Sequence, residues 1–245
     1  MNTYCIIIPC YNEELRLPIA EYELFLKQDT NAIICFVNDG STDKTESILK
    51  QLLEKYPEQA FLLSLDKNKG KAEAVRSGVF YSLKNFDFTH LAYIDADLST
   101  SPEECIRVGN LVKGNIEFCF GSRILKIGST IDRLASRHYP GRVIATFISL
   151  TLDLKVYDTQ CGCKVFTKEL AKELFFEPFI STWLFDVELF ARMLNKYGKQ
   201  EAIKKMLEVP LNKWLNKEGS KVSPAYFFRL WSDLYAIRQT LKRSN

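Results

Sequence analysis

Residues 90–97 read His90-Leu91-Ala92-Tyr93-Ile94-Asp95-Ala96-Asp97. The first five, apolar and aromatic in character, form a short buried strand by pattern, and two carboxylates one residue apart follow it directly. In open α/β sheets ligands bind beyond the carboxyl ends of the strands. A lone D-x-D is weak evidence, because acidic pairs in surface turns are common and simply solvated. Two acids ending a buried strand are harder to explain by solvation. Their oxygens suit hard cations such as Mg²⁺ or Mn²⁺, which also bridge phosphates, so a metal-bound diphosphate is the natural guest.

Working outward, apolar and β-branched runs at residues 4–8, 32–37, 60–65 and 116–120 are each followed by polar turn residues. Between the runs lie segments of helical period near 14–27, 45–55, 71–83 and 102–112. This alternation predicts an α/β fold with a Rossmann-like, mostly parallel sheet flanked by helices. Ser41 or Thr42 is placed to cap the second helix, and Ser101 followed by Pro102, Glu103 and Glu104 marks the start of the fourth. From about Gly121 onward the alternation fails, and helical stretches, short strands and loops mix.

The chain has 245 residues, of which 47% are hydrophobic and 26% charged, the profile of one globular domain. No repeat or low-complexity linker divides it. A formal net charge of +3 is too mild for a nucleic-acid binder. Seven irregularly spaced cysteines argue against a disulfide framework and for a reducing compartment. Cys5, Cys10 and Cys35 read as small core residues. The start, MNTYCIIIPCYNEE, lacks the pattern of a secretory signal and reads as a first strand. The longest later uncharged apolar run, residues 143–152, is well short of the roughly 20 residues that cross a bilayer.

Other strand ends carry further candidates. Pro9, Tyr11, Asn12 and Glu13 follow the first strand, and Asp39, Gly40 and Ser41 follow the second. Asp39 could accept hydrogen bonds from a base edge beside a glycine that permits close approach, or could belong to an ordinary capped βα turn. The loop at 66–71, DKNKGK, aims lysines and a helix N-terminus at an anion site, unless it is merely a solvated basic loop.

Together and in order, IIIPCYNEE, FVNDGSTDKT, NKGKAEAVRSG, YIDADLST and FGSR resemble a family 2 glycosyltransferase of the GT-A fold. In the second half DTQCGCKVF, WLFDVEL, EVPLNKW and EGSKVSP are similar to the dolichyl-phosphate β-glucosyltransferase branch, although Cys163 stands where that branch usually has an aromatic residue. The resemblance implies a single GT-A domain over 1–245, with a nucleotide-sugar half at 1–123 and an acceptor and membrane-proximal half at 124–245. It implies UDP-glucose as donor, a polyprenyl phosphate as acceptor and an inverting, metal-dependent transfer.

Carried over residue by residue, it puts Pro9, Tyr11, Asn12, Glu13, Asp39, Gly40 and Ser41 around the nucleotide, with Lys71 and Ala96 nearby. Asp95 touches the ribose or, with Asp97, holds Mg²⁺ or Mn²⁺, and Arg123 is a candidate for stabilising the leaving diphosphate, or else a surface arginine that closes a strand. A lipid phosphate needs cations rather than a base, and Arg133, Arg137 and Lys221 are the candidates, with His138 and Arg142 close to the first two. A hydroxyl acceptor would need a carboxylate, Asp158 or Asp186. Each of these also has a structural reading, Asp158 as a turn aspartate and Asp186 as the N-cap of a helix starting at Val187.

Cys161 and Cys163 lack partners for a zinc site. The segment from Pro224 is an amphipathic helix with basic residues, fit to pack on the core or to rest on an anionic leaflet. The expected location is therefore cytoplasmic, peripheral at the inner face of the membrane. Two alternatives stand beside this reading: transfer from a UDP- or GDP-sugar to a saccharide or protein hydroxyl in surface polysaccharide synthesis, and a non-catalytic nucleotide-sugar-binding protein.

Overall fold

The structure is a computed structural model that describes residues 2–28, 31–132, 135–216 and 224–242, without the side chains of 135–140, 224–228 and 242. Arg133 and Lys221, and the side chains of Arg137 and His138, therefore lie outside the described residues. The first half runs β1 (Tyr4–Cys10), α1 (Ile19–Leu26), β2 (Ala32–Asn38), α2 (Thr45–Lys55), β3 (Ala60–Ser64), α3 (Lys71–Asn85), β4 (His90–Ile94), α4 (Pro102–Gly109) and β5 (Phe118–Ser122). The second continues β6 (Thr130–Ile131), α5 (Ala135–Leu152), β7 (Cys163–Thr167), α6 (Lys168–Leu174), α7 (Phe185–Tyr197), α8 (Lys199–Lys205), β8 (Met206–Pro210), β9 (Lys213–Trp214) and α9 (Pro224–Lys242).

Seven strands form one sheet in the order β3-β2-β1-β4-β7-β5-β8. β3, β2, β1 and β4 are parallel, as the alternation predicts. β7 is antiparallel to both β4 and β5, and so separates two strands that follow one another in sequence. The central strands are buried on both faces, which is why they read as continuous apolar runs rather than alternating ones. Along β1, Cys5 and Ile7 join the core that contains α3 and α7, while Tyr4, Ile6 and Ile8 join the core beneath α1, α2 and α4.

Several local expectations are corrected. The first helix begins at Ile19 rather than near residue 14, because residues 13–17 turn, with Arg16 and Leu17 both donating to the Glu13 carbonyl, and Pro18 disfavours helical backbone before it. Neither Ser41 nor Thr42 caps α2. That helix starts at Thr45, whose N–H donates to Asp43 Oδ1 at 3.0 Å. α7 starts at Phe185, so Asp186 lies inside its first turn. The preceding hydroxyl, Ser181 Oγ, takes the Leu184 N–H at 2.8 Å instead. The Ser101 cap of α4 is present, with Ser101 Oγ accepting from Glu104 N–H at 3.3 Å.

Leu230, Leu234 and Ile237 of α9 are buried in the core, so its apolar stripe packs on the protein itself. Among the described residues no helix is long and apolar enough to cross a membrane.

Candidate functional site

β1 and β2 run in register, Pro9 beside Val37 and Cys10 beside Asn38, so the turns that follow them meet at one sheet edge. Asn12 has φ 49°, in the left-handed region where asparagine is among the better tolerated residues. Its N–H donates to Ser41 Oγ at 3.0 Å, and its Oδ1 accepts from Thr42 N–H at 2.9 Å. Glu13 N–H donates to Thr45 Oγ1 at 2.7 Å. The candidates Pro9, Tyr11, Asn12, Glu13, Asp39, Gly40 and Ser41 thus come together.

Asp39 is buried and accepts from Lys69 N–H at 2.8 Å and Gly70 N–H at 2.9 Å. The carboxylate anchors the loop that leads into α3, and has lone pairs left over. Gly40 has φ +62°, and a Cβ there would lie 2.4 Å from the Lys67 carbonyl carbon. The close approach that this glycine permits is to the 67–68 backbone.

At the end of β4, Lys71 Nζ sits 2.5 Å from Asp95 Oδ1. Burial works against the charge on Lys71, but the neighbouring carboxylates Asp95 and Asp186 outweigh it and hold the pKa above the ordinary lysine value. Gly162 lets Asp95 lie where it does, since a Cβ there would come within 2.0 Å of Asp95 Oδ2. The Ala96 carbonyl accepts from Tyr22 O–H at 2.9 Å, which pins the strand end. Asp97 Oδ1 accepts from Ser99 N–H at 2.9 Å, and burial, then the charge of Asp95, pushes its carboxyl pKa up.

A carboxyl whose charge is disfavoured by burial and by a second carboxylate beside it fits a divalent cation, which would relieve both burdens. Among the described residues no third acid, histidine or cysteine completes a cage. That suits an ion which keeps waters and takes substrate phosphate oxygens as its remaining ligands.

Beneath this pair lies another. Lys164 of β7 is fully buried, with Nζ 2.6 Å from Asp186 Oδ1, and it donates to the Cys161 carbonyl at 2.7 Å. Tyr93 O–H donates to the same Asp186 oxygen at 2.5 Å.

At the end of β5, Arg123 forks onto Asp158, Nε at 2.6 Å and an Nη at 2.8 Å, and its own N–H donates to Asp158 Oδ2 at 3.2 Å. Arg123 also lies over the Trp214 ring, 5.4 Å from the centroid. Burial opposes ionisation of Asp158, but Arg123 outweighs it and holds the carboxyl at about 2. Such a group is a weak base near neutral pH. The structure therefore joins Arg123 and Asp158, candidates for separate roles by sequence, into one buried ion pair. Cys161 and Cys163 are buried thiols, and burial pushes that of Cys161 up.

Residues 5–175 match the profile described as glycosyl transferase family 2. The chain belongs to this family. Among curated family relatives, the dolichyl-phosphate beta-glucosyltransferase of Dictyostelium discoideum is 30% identical over 95% of this chain and 73% of its own length. The human dolichyl-phosphate beta-glucosyltransferase is 30% identical over 95% of this chain and 74% of its own. Among solved structures, Mycobacterium tuberculosis glucosyl-3-phosphoglycerate synthase in complex with Mn²⁺, uridine diphosphate and glucosyl-3-phosphoglycerate superposes with TM-score 0.65 at 17% identity, covering 99% of this chain and 80% of that one. This likeness shows the shared GT-A fold. The chain is a glycosyltransferase.

Lys164, Tyr93 and Gly162 enter the site without having been singled out in the sequence. A lysine inside the strand run Cys163-Lys164-Val165-Phe166 is the one signal that pointed to a buried charge. Nothing in the spacing marked its partner, 22 residues away in α7.

Proposed function

We propose that the chain is an inverting, metal-dependent transferase that moves glucose from UDP-glucose to a polyprenyl phosphate, dolichyl or undecaprenyl, at the inner face of a membrane. The observation that carries the proposal is the Asp95 and Asp97 pair at a buried strand end with Lys71 set against it, in a chain about 30% identical to dolichyl-phosphate glucosyltransferases along most of its length. In this reading Pro9, Tyr11, Asn12, Glu13, Asp39, Gly40, Ser41 and Ala96 line the donor nucleotide. Asp95 and Asp97 hold Mg²⁺ or Mn²⁺, which when bound supplies positive charge to the diphosphate leaving group.

An acceptor phosphate oxygen bonds to the anomeric carbon as the bond from that carbon to the diphosphate oxygen breaks, and the electron pair leaves with UDP. A phosphate monoester, with a second pKa of about 6, is already ionised near neutral pH. No proton has to be removed, which suits a site whose Asp158 is held at about 2 by Arg123 and whose Asp186 is tied to Lys164 and Tyr93. Lys71, set against Asp95 at the same strand end, would lend its ammonium to the charge that develops on the diphosphate. Arg123, its charge compensated by Asp158, fixes the β5 end of the site, and Arg133, Arg137 and Lys221 are assigned to the acceptor phosphate. Exposed Trp231 and Tyr235 on α9, with exposed Arg238 one turn on, support peripheral contact with an anionic surface.

The test is transfer of radiolabelled glucose from UDP-glucose, with Mn²⁺ or Mg²⁺, into organic-extractable polyprenyl phosphate. Label that moves only to a sugar or protein hydroxyl refutes the proposal.

A further inference from the structure

Beside residues 154–156, just before Asp158, the chain forms a half-open cavity of about 540 Å³, a size typical of small-ligand sites. Its walls include Phe120, Leu154, Val156, Phe190, Ile203 and Met206. Glu208 also lines it and accepts from Tyr157 N–H at 2.9 Å and Asp158 N–H at 2.8 Å. One segment, residues 156–158, thus borders the cavity and carries the acid that holds Arg123. Of the charged lining residues, Lys199 pairs with Asp153, Glu208 is turned to backbone N–H groups, and Lys155 is exposed, so no charge is buried against the apolar walls without a partner.

Leu150 lines the cavity too, yet is 70% exposed. It ends an exposed apolar stripe on α5, after Val143 and Phe147, at spacings that share a helix face. Phe147 meets exposed Trp231 of α9 edge-on, with ring centroids 4.9 Å apart. An apolar path therefore leads from the protein surface over Leu150 into a cavity bordered by the segment that carries Asp158. The exposed stripe, Val143, Phe147 and Leu150 with Trp231 and Tyr235, is five side chains wide, against the roughly 20–30 residues a side of a standard protein interface.

The geometry points to a binding site for the hydrocarbon chain of the lipid phosphate: the cavity takes isoprene units beyond the first, which reach it over Leu150, and leaves the phosphate and its first isoprene outside, on the side of Arg123 and Asp158. This rests on the lipid-phosphate reading above.

The experiment compares KM for a one-isoprene phosphate and a long polyprenyl phosphate in the wild type, in Leu150→Asp, which puts a charge at the exposed mouth, and in Ile203→Trp, which fills the cavity from its rim. In the wild type the long chain lowers KM by at least about tenfold, the effect of withdrawing only a few methylenes from water. Both variants erase that gain and leave KM for UDP-glucose and for the one-isoprene phosphate unchanged. A chain-length gain that survives in both variants overturns the cavity assignment while the lipid-phosphate reading stands. KM values that rise equally for both acceptors overturn it as well, because the variants then act on the site in general. A wild type that glucosylates no lipid phosphate removes the parent reading and this inference together.

Discussion

Asp158→Asn isolates the ion pair that closes the β5 end of the site. Asparagine keeps the shape and one acceptor oxygen, but Arg123, its side chain only 18% exposed, loses the charge that compensates it. Removing one partner of a buried pair costs about 3–5 kcal/mol. The retained oxygen puts the expected loss at the lower end, about 3 kcal/mol, a large share of the roughly 5–15 kcal/mol that holds a domain folded. The assay is urea unfolding at neutral pH with the slope of the transition checked for constancy. Arg123→Met alone and the double variant complete a cycle, in which the double variant is less destabilised than the two single losses together.

The pH dependence gives a second readout. The folded Asp158 pKa is depressed from 3.8 to about 2, so its contribution is present above the unfolded value and is lost as pH falls from about 4 through 2. The depression corresponds to about 2 kcal/mol. It is smaller than the mutational cost because a protonated carboxyl still accepts hydrogen bonds from Arg123. Asp158→Asn lacks this acid-side slope. A loss under about 1 kcal/mol that adds to that of Arg123→Met without coupling would refute the reasoning.

Asp97→Asn is expected to cut glucose transfer by about 100-fold or more without lowering the melting temperature. Because burial and Asp95 raise the Asp97 pKa, its charged form works against folding at neutral pH, and the amide relieves that; normal turnover in a metal-supplemented assay contradicts the assignment. Gly162→Ala drives a methyl into Asp95 Oδ2 and breaks the contact with Lys71, so calorimetric affinity for UDP with Mn²⁺ is expected to fall while the far-ultraviolet circular dichroism stays unchanged. Gly40→Ala combines a left-handed backbone, which costs about 1–2 kcal/mol, with a clash against the Lys67 backbone; thermal denaturation should show a clear loss of stability, and an unchanged melting temperature counts against the close packing of these two loops.

The strands and helices of the first half were legible because their signals are local. A run such as Cys5-Ile6-Ile7-Ile8 reads as a buried strand wherever it lies, and Ser101-Pro102 is a helix start by its own chemistry. The placement of Asp95 and Asp97 at a sheet edge follows from the same reading, since the strand before them sets where they end. The fifth apolar run reads as a strand over 116–120, whereas pairing with β8 sets β5 at Phe118–Ser122, with Arg123 just past its end as the stretch FGSR implies. The caps assigned to Thr42 and Asp186 failed for a related reason. Several nearby side chains can cap a helix, and the tertiary position of the loop selects one.

By itself the amino-acid order determined the βα alternation, the parallel first four strands and the row of polar residues at their carboxyl ends, because short-range periodicity and turn chemistry suffice for these. Only the folded chain decided that β7 enters between β4 and β5, that Lys164 meets Asp186, that Arg123 meets Asp158 across 35 residues, and that Lys71 turns to Asp95. Charge pairing depends on distances of a few ångströms between segments remote in sequence. No spacing along the chain encodes those distances, and here they convert isolated acids and bases into the paired floor of a transfer site.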